Sequence, residues 1–187
     1  MQAMAEESEA LRCAQAGATR AFRDLVRRHQ AAVYSLALRL LGVREDAQEL
    51  AQDVFLQLHR SLASISSPSH LHFWLRRVVC HRAIDRLRAR SGPADLPLEA
   101  AGSLEAPGSA ADPLLERALK GLVGQLPPVP RAVVLLRYQE DWDPPQIARA
   151  LGLPLNTVKS HLRRSLVALR ARLGPGAAPL AEVRSCD

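Results

Sequence analysis

The chain has 187 residues, room for one or two domains, with 25 Lys+Arg against 19 Asp+Glu and a formal charge of +6. A hydrophobic content of 48% excludes global disorder, and no apolar run approaches the 18 residues of a membrane span. Leu and Ala dominate, aromatics make up 4%, and β-branched residues do not alternate, so an all-helical fold is expected rather than a sandwich or barrel.

The first residues, Met1 to Glu9, are acidic and lack the apolar core of a signal peptide. Cys13, Cys80 and Cys186 are odd in number and far apart, which fits neither a disulfide framework nor a paired zinc knuckle and points to a reducing cytoplasm. Of the basic residues, 23 are Arg and only Lys120 and Lys159 are Lys. High-GC coding explains that bias, and so does selection for forked phosphate donors.

From Ala18 to Leu41, Phe22, Leu25, Val26, Val33, Leu36, Ala37, Leu40 and Leu41 form one helical stripe, and Gly42 stops it. Glu45 to Leu62 repeats the pattern with Ala47, Leu50, Val54, Leu58 and Leu62. Its other face carries Asp46, Glu49, Gln52 and Asp53; acids in a first turn suit the helix dipole. The segment 61–70, SLASISSPSH, reads as a Ser-rich loop closed by Pro68.

Leu71 to Arg90 is the third strong helix, with a buried start expected at Leu71, Trp74, Leu75 and Val78. It carries Arg76, Arg77, Arg82, Arg86, Arg88 and Arg90 against Asp85 alone, with His72, Phe73, Trp74 and His81 between them. Cations for phosphates and flat rings for bases suit single-stranded nucleic acid. A solvated helix with a core Trp reads equally well.

Residues 91–113, SGPADLPLEAAGSLEAPGSAADP, are rich in Pro, Gly, Ala and Ser and carry acids without a base. They read as a flexible acidic linker, dividing the chain into 1–90 and 114–173, with a loose tail at 174–187. After it, helices are expected at Leu114–Leu126, stopped by Pro127, Pro128 and Pro130, and at Arg131–Gln139.

The stretch 143–173, DPPQIARALGLPLNTVKSHLRRSLVALRARL, is the most informative. Asp143 caps a helix that Pro144 opens, Gly152 ends it, and Asn156 or Thr157 is expected to cap the next. Ala148, Gly152 and Val158 let two short helices cross closely, a helix-turn-helix. Lys159, Ser160, His161, Arg163 and Arg164 lie in the first turns of the second helix, the turns that enter a major groove. A structural hairpin with a cationic face is the plainer reading.

Three blocks, AFRDLVRRHQAAVYSLALRLLGVREDAQELAQDVFLQLHRSL, FWLRRVVCHRAIDRLR and TVKSHLRRS, resemble in this order an extracytoplasmic-function (ECF) sigma factor of the sigma-70 family. The resemblance covers roughly 18–90 and 113–173 and implies a protein that binds core RNA polymerase and directs it to promoter DNA. It implies core-polymerase contacts at Asp46, Glu49, Leu50, Gln52, Asp53 and Phe55. It implies minus-ten recognition and melting by Arg76, Arg77, His81, Arg82 and Arg86, with the loop 61–70 capturing a flipped base. It implies minus-thirty-five reading by Arg137, Thr157, Lys159, Ser160, Arg163 and Arg164. His81 stands where an Asn is common, and Asp143-Pro144-Pro145 replaces a more usual Ser-aromatic-acid opening. An anti-sigma factor is an expected partner.

Stretched, Ser91–Asp112 reaches about 70–80 Å at about 3.3–3.6 Å per residue, which spans about 20 base pairs. A stand-alone helix-turn-helix regulator is the alternative reading, but residues 1–90 show no strands of an α/β sensor domain. No Gly-rich phosphate loop, catalytic triad or paired-carboxylate pocket stands out, so no catalysis, cofactor or metal is expected; His70, His72, Cys80 and His81 lack paired zinc spacing.

Overall fold

The computed structural model describes residues 2–91 and 113–173. The described residues are helical throughout their regular structure: α1 (Gln2–Gln15), α2 (Thr19–Leu41), α3 (Arg44–Ser61), a 3₁₀ turn (Leu62–Ser64), α4 (Pro68–Ser91), α5 (Pro113–Gly124), α6 (Pro128–Tyr138), α7 (Pro144–Leu151) and α8 (Leu155–Leu173). The expected linker and tail lie outside the described residues, apart from Ser91 and Pro113, which end α4 and open α5. The chain forms two compact units, one holding α1–α4 together with Arg149–Gly152, the other α5, α6, α8 and the start of α7. No described helix is long and apolar enough to cross a membrane.

In the first unit, the stripe of α2 (Leu25, Val33, Leu36, Ala37, Leu40) packs with Ala47, Leu50, Val54 and Leu58 of α3 and Leu71, Leu75 and Val79 of α4, all buried. Gly42 ends α2 in the left-handed conformation (φ 77°) and donates its N–H to the Leu38 carbonyl at 2.8 Å. That turn folds α3 back on α2 within two residues.

Helix α1 has no counterpart among the sequence-derived elements. It offers few apolar anchors, with Leu11 and Ala14 buried, and also buries Glu7. Gln15 fixes its end by donating Nε2 to the carbonyls of Leu62 (3.0 Å) and Ile65 (2.8 Å), tying α1 to the turn after α3.

Proline accounts for two displaced boundaries. Pro68 opens α4 rather than closing the preceding loop, because a first-turn residue needs no N–H. Ser67 caps it, its Oγ accepting the His70 N–H at 3.1 Å. The irregular segment therefore shrinks from the expected 61–70 to the turn between α3 and Pro68. Likewise α6 begins at Pro128, with Pro127 as its cap, three residues before the expected start. Arg131 reaches back from α6 and donates to the Leu126 and Gly124 carbonyls at the end of α5.

The second unit packs Leu122, Leu126, Val134, Leu169 and Leu173 into one cluster. Asp143 and Gln146 form a reciprocal cap: Gln146 N–H donates to Asp143 Oδ1 (2.6 Å) and Asp143 N–H to Gln146 Oε1 (2.9 Å). Gly152 takes φ 66°, and Leu153 N–H returns to the Ala148 carbonyl at 3.0 Å, closing the turn. Helix α8 starts earlier than Asn156 or Thr157: Thr157 and Val158 both donate to the Pro154 carbonyl, so Asn156 and Thr157 lie in the first turn.

A side chain at Gly152 would meet no atom within 4 Å, so its constraint is backbone conformation alone. Gly152→Ala is expected to destabilise the chain by about 1–2 kcal/mol. Gly121→Ala, in the open interior of α5 with ordinary φ, is expected to stabilise it by about 0.5–1 kcal/mol. Urea unfolding of the two variants checks the opposite signs.

Candidate nucleic-acid interface

The face shared by α3 and α4 carries a ladder of ion pairs. Three of the acids step along α3 at Asp46, Glu49 and Asp53, and the cations along α4 at Arg82, Arg86 and Arg90, so the helical repeats place them opposite each other. Arg90 grips Asp46 in a fork, Nη1 and Nη2 each donating to one carboxylate oxygen at 2.6 Å. Arg86 donates to Asp53 (2.7 Å), to Glu49 (3.3 Å) and to the Asp46 carbonyl (3.3 Å). Arg82 donates Nε to Gln57 Oε1 at 2.9 Å and lies 3.8 Å from Asp53. The fork from Arg90 holds the Asp46 carboxyl below its ordinary range, and Asp46 in turn raises the Arg90 guanidinium.

The acids assigned to one partner and the cations assigned to another thus neutralise each other in the free chain. Leu50 does not belong to any outward surface: it is fully buried between α2 and α4, because it falls on the inward stripe with Ala47 and Val54. Its expected polymerase contact is therefore corrected to a core role. Glu49 and Gln52 are exposed and Phe55 is half-buried. Leu56, beside Phe55, is 59% exposed, an outward apolar residue that the inward-stripe reading of α3 passed over.

On α4, Trp74 and Val78 are half-buried rather than core. Leu71 and Leu75 are buried as expected, and Val79 and Cys80 take the inward places instead of Trp74 and Val78. Trp74 lines an open groove of about 560 Å³ with Gln57, Arg77, Val78, His81, Arg82 and Asp85. The groove brings together an indole, an imidazole and two guanidinium groups, the combination that stacks on a base and holds its phosphates. Of the residues expected there, Arg77, His81 and Arg82 meet in it, and Arg86 sits in the ladder. Arg76 faces away from the groove, donating to the His72 carbonyl at 3.3 Å.

In the second unit, Lys159, Arg163 and Arg164 are exposed on the first turns of α8, and Thr157, Ser160 and His161 are half-buried among them. Burial, with help from the neighbouring Arg164, holds the His161 imidazole below its ordinary value. Arg137 lies apart on α6 and donates Nη1 to the Trp142 carbonyl (3.3 Å), which braces the turn into α7.

A further polar cluster escaped the sequence reading. Glu7, His29 and His72 converge from α1, α2 and α4, with separations of 22 and 65 residues between the acid and its two partners. No local spacing rule reaches so far.

Two family models match the chain in the order of these surfaces: sigma-70 region 2 over residues 25–92 and sigma-70 region 4 over 116–169. The ECF RNA polymerase sigma factor SigM of Mycobacterium tuberculosis is 30% identical over 168 residues, covering 90% of this chain and 85% of that protein. The RNA polymerase sigma-E factor of Streptomyces coelicolor is 32% identical over 157 residues, covering 81% and 85%. The ECF sigma factor SigW of Bacillus subtilis is 27% identical over 166 residues, covering 82% and 89%. Among solved structures, CnrH in complex with the cytosolic domain of CnrY shares the fold, with a TM-score of 0.61, 24% identity and 89% of this chain covered. So does the sigma factor RpoE in complex with the anti-sigma factor NepR from Bartonella quintana, with a TM-score of 0.61, 19% identity and 81% covered.

Arg86, with 23% of its side chain exposed, joins three backbone and side-chain acceptors, whereas Arg90 is more exposed and serves one acid. Arg86→Ala is expected to cost about 1–2 kcal/mol, a charge-assisted contact discounted for solvent screening. Arg90→Ala is expected to leave the melting temperature unchanged at moderate salt. Thermal unfolding of both variants tests the ranking.

Proposed function

The chain belongs to the sigma-70 family as an ECF RNA polymerase sigma factor that brings core polymerase to promoter DNA, and from that premise we propose how its two helical units divide the work. The first unit (1–90) docks on core polymerase and opens the minus-ten element. The second (114–173) reads the minus-thirty-five element, and 91–113 links them. The observation that carries the division is the placement of exposed cations: Lys159, Arg163 and Arg164 stand outward on the second helix of a helix-turn-helix.

Docking uses the outward part of α3. Gln52 and Phe55, with Leu56 beside them, offer amide and apolar contacts that need no rearrangement, and the exposed Glu49 adds an acid once it yields its 3.3 Å contact with Arg86. Asp46 and Asp53 reach a partner's cations only by exchanging Arg90 and Arg86 for them, since both are already paired. Such an exchange releases α4 arginines beside the groove at the moment the protein sits on polymerase. Melting then has what it requires: cations for the strand and Trp74 as a platform for an unstacked base, against an unstacking cost of a few kcal/mol per step.

Reading of duplex DNA falls to α8. Lys159, Arg163 and Arg164 reach guanine edges or phosphates in the major groove, and Thr157 and Ser160 bond at closer range. Arg137 contributes from α6 if it gives up its Trp142 carbonyl. The protein performs no catalysis itself and works in the cytoplasm, where polymerase is. An anti-sigma factor controls it; two proteins of the same fold are captured with partners of that kind or with a partner's cytosolic domain.

Purified protein added to core polymerase is expected to start run-off transcription from a defined promoter that neither starts alone. Tight binding to that DNA without core, and no comigration with polymerase, favours a stand-alone regulator instead. Lys159→Ala and Arg164→Ala are each expected to weaken minus-thirty-five binding by about 1–3 kcal/mol where the contact is to a base. Loss that is uniform across promoter sequences, with a shallower salt dependence, marks a phosphate contact.

A further inference from the structure

The cluster of Glu7, His29 and His72 takes no part in the surfaces described above. Glu7 Oε1 lies 2.7 Å from His29 Nε2 and 3.2 Å from His72 Nε2, and Glu7 Oε2 lies 3.4 Å from the latter. The imidazoles stand edge to face, centroids 4.7 Å apart. One donor atom from each of the three residues falls within 4.8 Å of the others. The site is built from three helices and mostly enclosed: the side chains of Glu7 and His29 are 10% and 7% exposed, and that of His72 is 44% exposed.

We propose that Glu7, His29 and His72 form a binding site for one divalent transition-metal ion of the zinc class, held by a carboxylate oxygen and two imidazole Nε2 atoms. The fourth position opens to water on the half-exposed His72 side. Metal–ligand bonds of about 2.0–2.1 Å in a tetrahedron place donor atoms about 3.3 Å apart. The Glu7 Oε1 separations of 2.7 and 3.2 Å from the two imidazoles lie at or below that value, and the donor atoms all fall within 4.8 Å of one another, so an ion enters by side-chain adjustment without movement of the helices. Two imidazoles and a carboxylate match the preference of zinc-class ions for nitrogen and oxygen donors.

Two features of the surroundings bear on the ion, one favourable and one to be accommodated. Burial holds the His29 imidazole below its ordinary value, against the pull of Glu7, which favours the neutral ring that ligation needs. The nearby cation, Arg76, touches His72 Nδ1 weakly at 3.5 Å and also donates to the His72 carbonyl at 3.3 Å. Ligation through Nε2 puts the proton on Nδ1; Arg76 gives up the weak contact and retains the carbonyl. The ion would clasp α1, which has few apolar anchors, to α2 and α4. Because Gln15 of α1 holds the Leu62 and Ile65 carbonyls, metal loading is transmitted to the turn that precedes α4.

The test uses the full chain, stripped with a chelator and titrated with cobalt(II), then zinc. One equivalent of cobalt is expected to give the intense visible bands of a four-coordinate site, zinc to displace it, and zinc to raise the melting temperature. His72→Ala, at a half-exposed position, and Glu7→Gln are expected to lower cobalt affinity by about 100-fold or more, since even outer-shell losses cost 10–100-fold. Circular dichroism confirms that each variant is folded, and His72→Ala alone decides the matter if Glu7→Gln is not. Absent bands, an unchanged melting temperature, or equal affinity in wild type and folded variants overturns the site. Equal affinity assigns the ion to surface histidines such as His59 or His70.

Discussion

The pairing of α3 acids with α4 arginines governs what each surface of the first unit can do. Asp46, Glu49 and Asp53 meet Arg90, Arg86 and Arg82 across the helix interface, so three of the four acids of α3 and three of the six arginines of α4 are spent inside the unit. Counted along the chain, the unit is cationic; measured by groups free to meet a partner, it is nearly balanced on this face. Arg86 is the pivot, since it alone reaches the Asp46 carbonyl, Glu49 and Asp53 together. A pair of this kind, partly screened by solvent, holds two helices in register at little net cost and is exchanged readily for another ion pair.

The second unit follows the opposite rule. From Pro144 to Ala181 the sequence contains no acidic residue, so nothing within the helix-turn-helix neutralises Lys159, Arg163 and Arg164. What holds these helices does not draw on those cations: the Asp143–Gln146 cap before α7, the left-handed Gly152, and the Pro154 carbonyl that starts α8. Among the described residues these cations have no ion-pair partner, the condition for strong, salt-dependent attraction to phosphate.

The contrast explains what the sequence made legible. Patterns of period 3.6 revealed α2, α3, α4 and the helix-turn-helix, because their apolar stripes are long, and Gly42 and Gly152 stop them where a left-handed residue is needed. Proline was ambiguous: the same residue that ends one helix opens the next, and Pro68 and Pro128 both open one. Burial within a stripe was legible only to one turn. Leu50 belongs inside and Leu56 outside, although both are Leu on one helix, and Trp74 sits at a groove rather than in the core. Contacts between distant segments left no trace at all. Helix α1 is anchored by Glu7 and Gln15 more than by apolar residues, and polar anchors of that kind have no periodicity to detect.

The two rules together suit a protein whose units act on different partners in sequence. Under the proposed division, α8 attracts duplex DNA without preparation, while α4 yields its arginines only when another cation takes their acids. Asp53 serves both Arg86 and Arg82, and Arg82 lines the groove with Trp74. A partner cation that claims Asp53 therefore loosens a guanidinium of the groove in the same step. The linkage is reciprocal by thermodynamic necessity: phosphates that draw Arg82 and Arg86 away free Asp53 for the polymerase side. Docking and strand capture then favour each other through one shared carboxylate, with no movement of the helices beyond the turning of side chains.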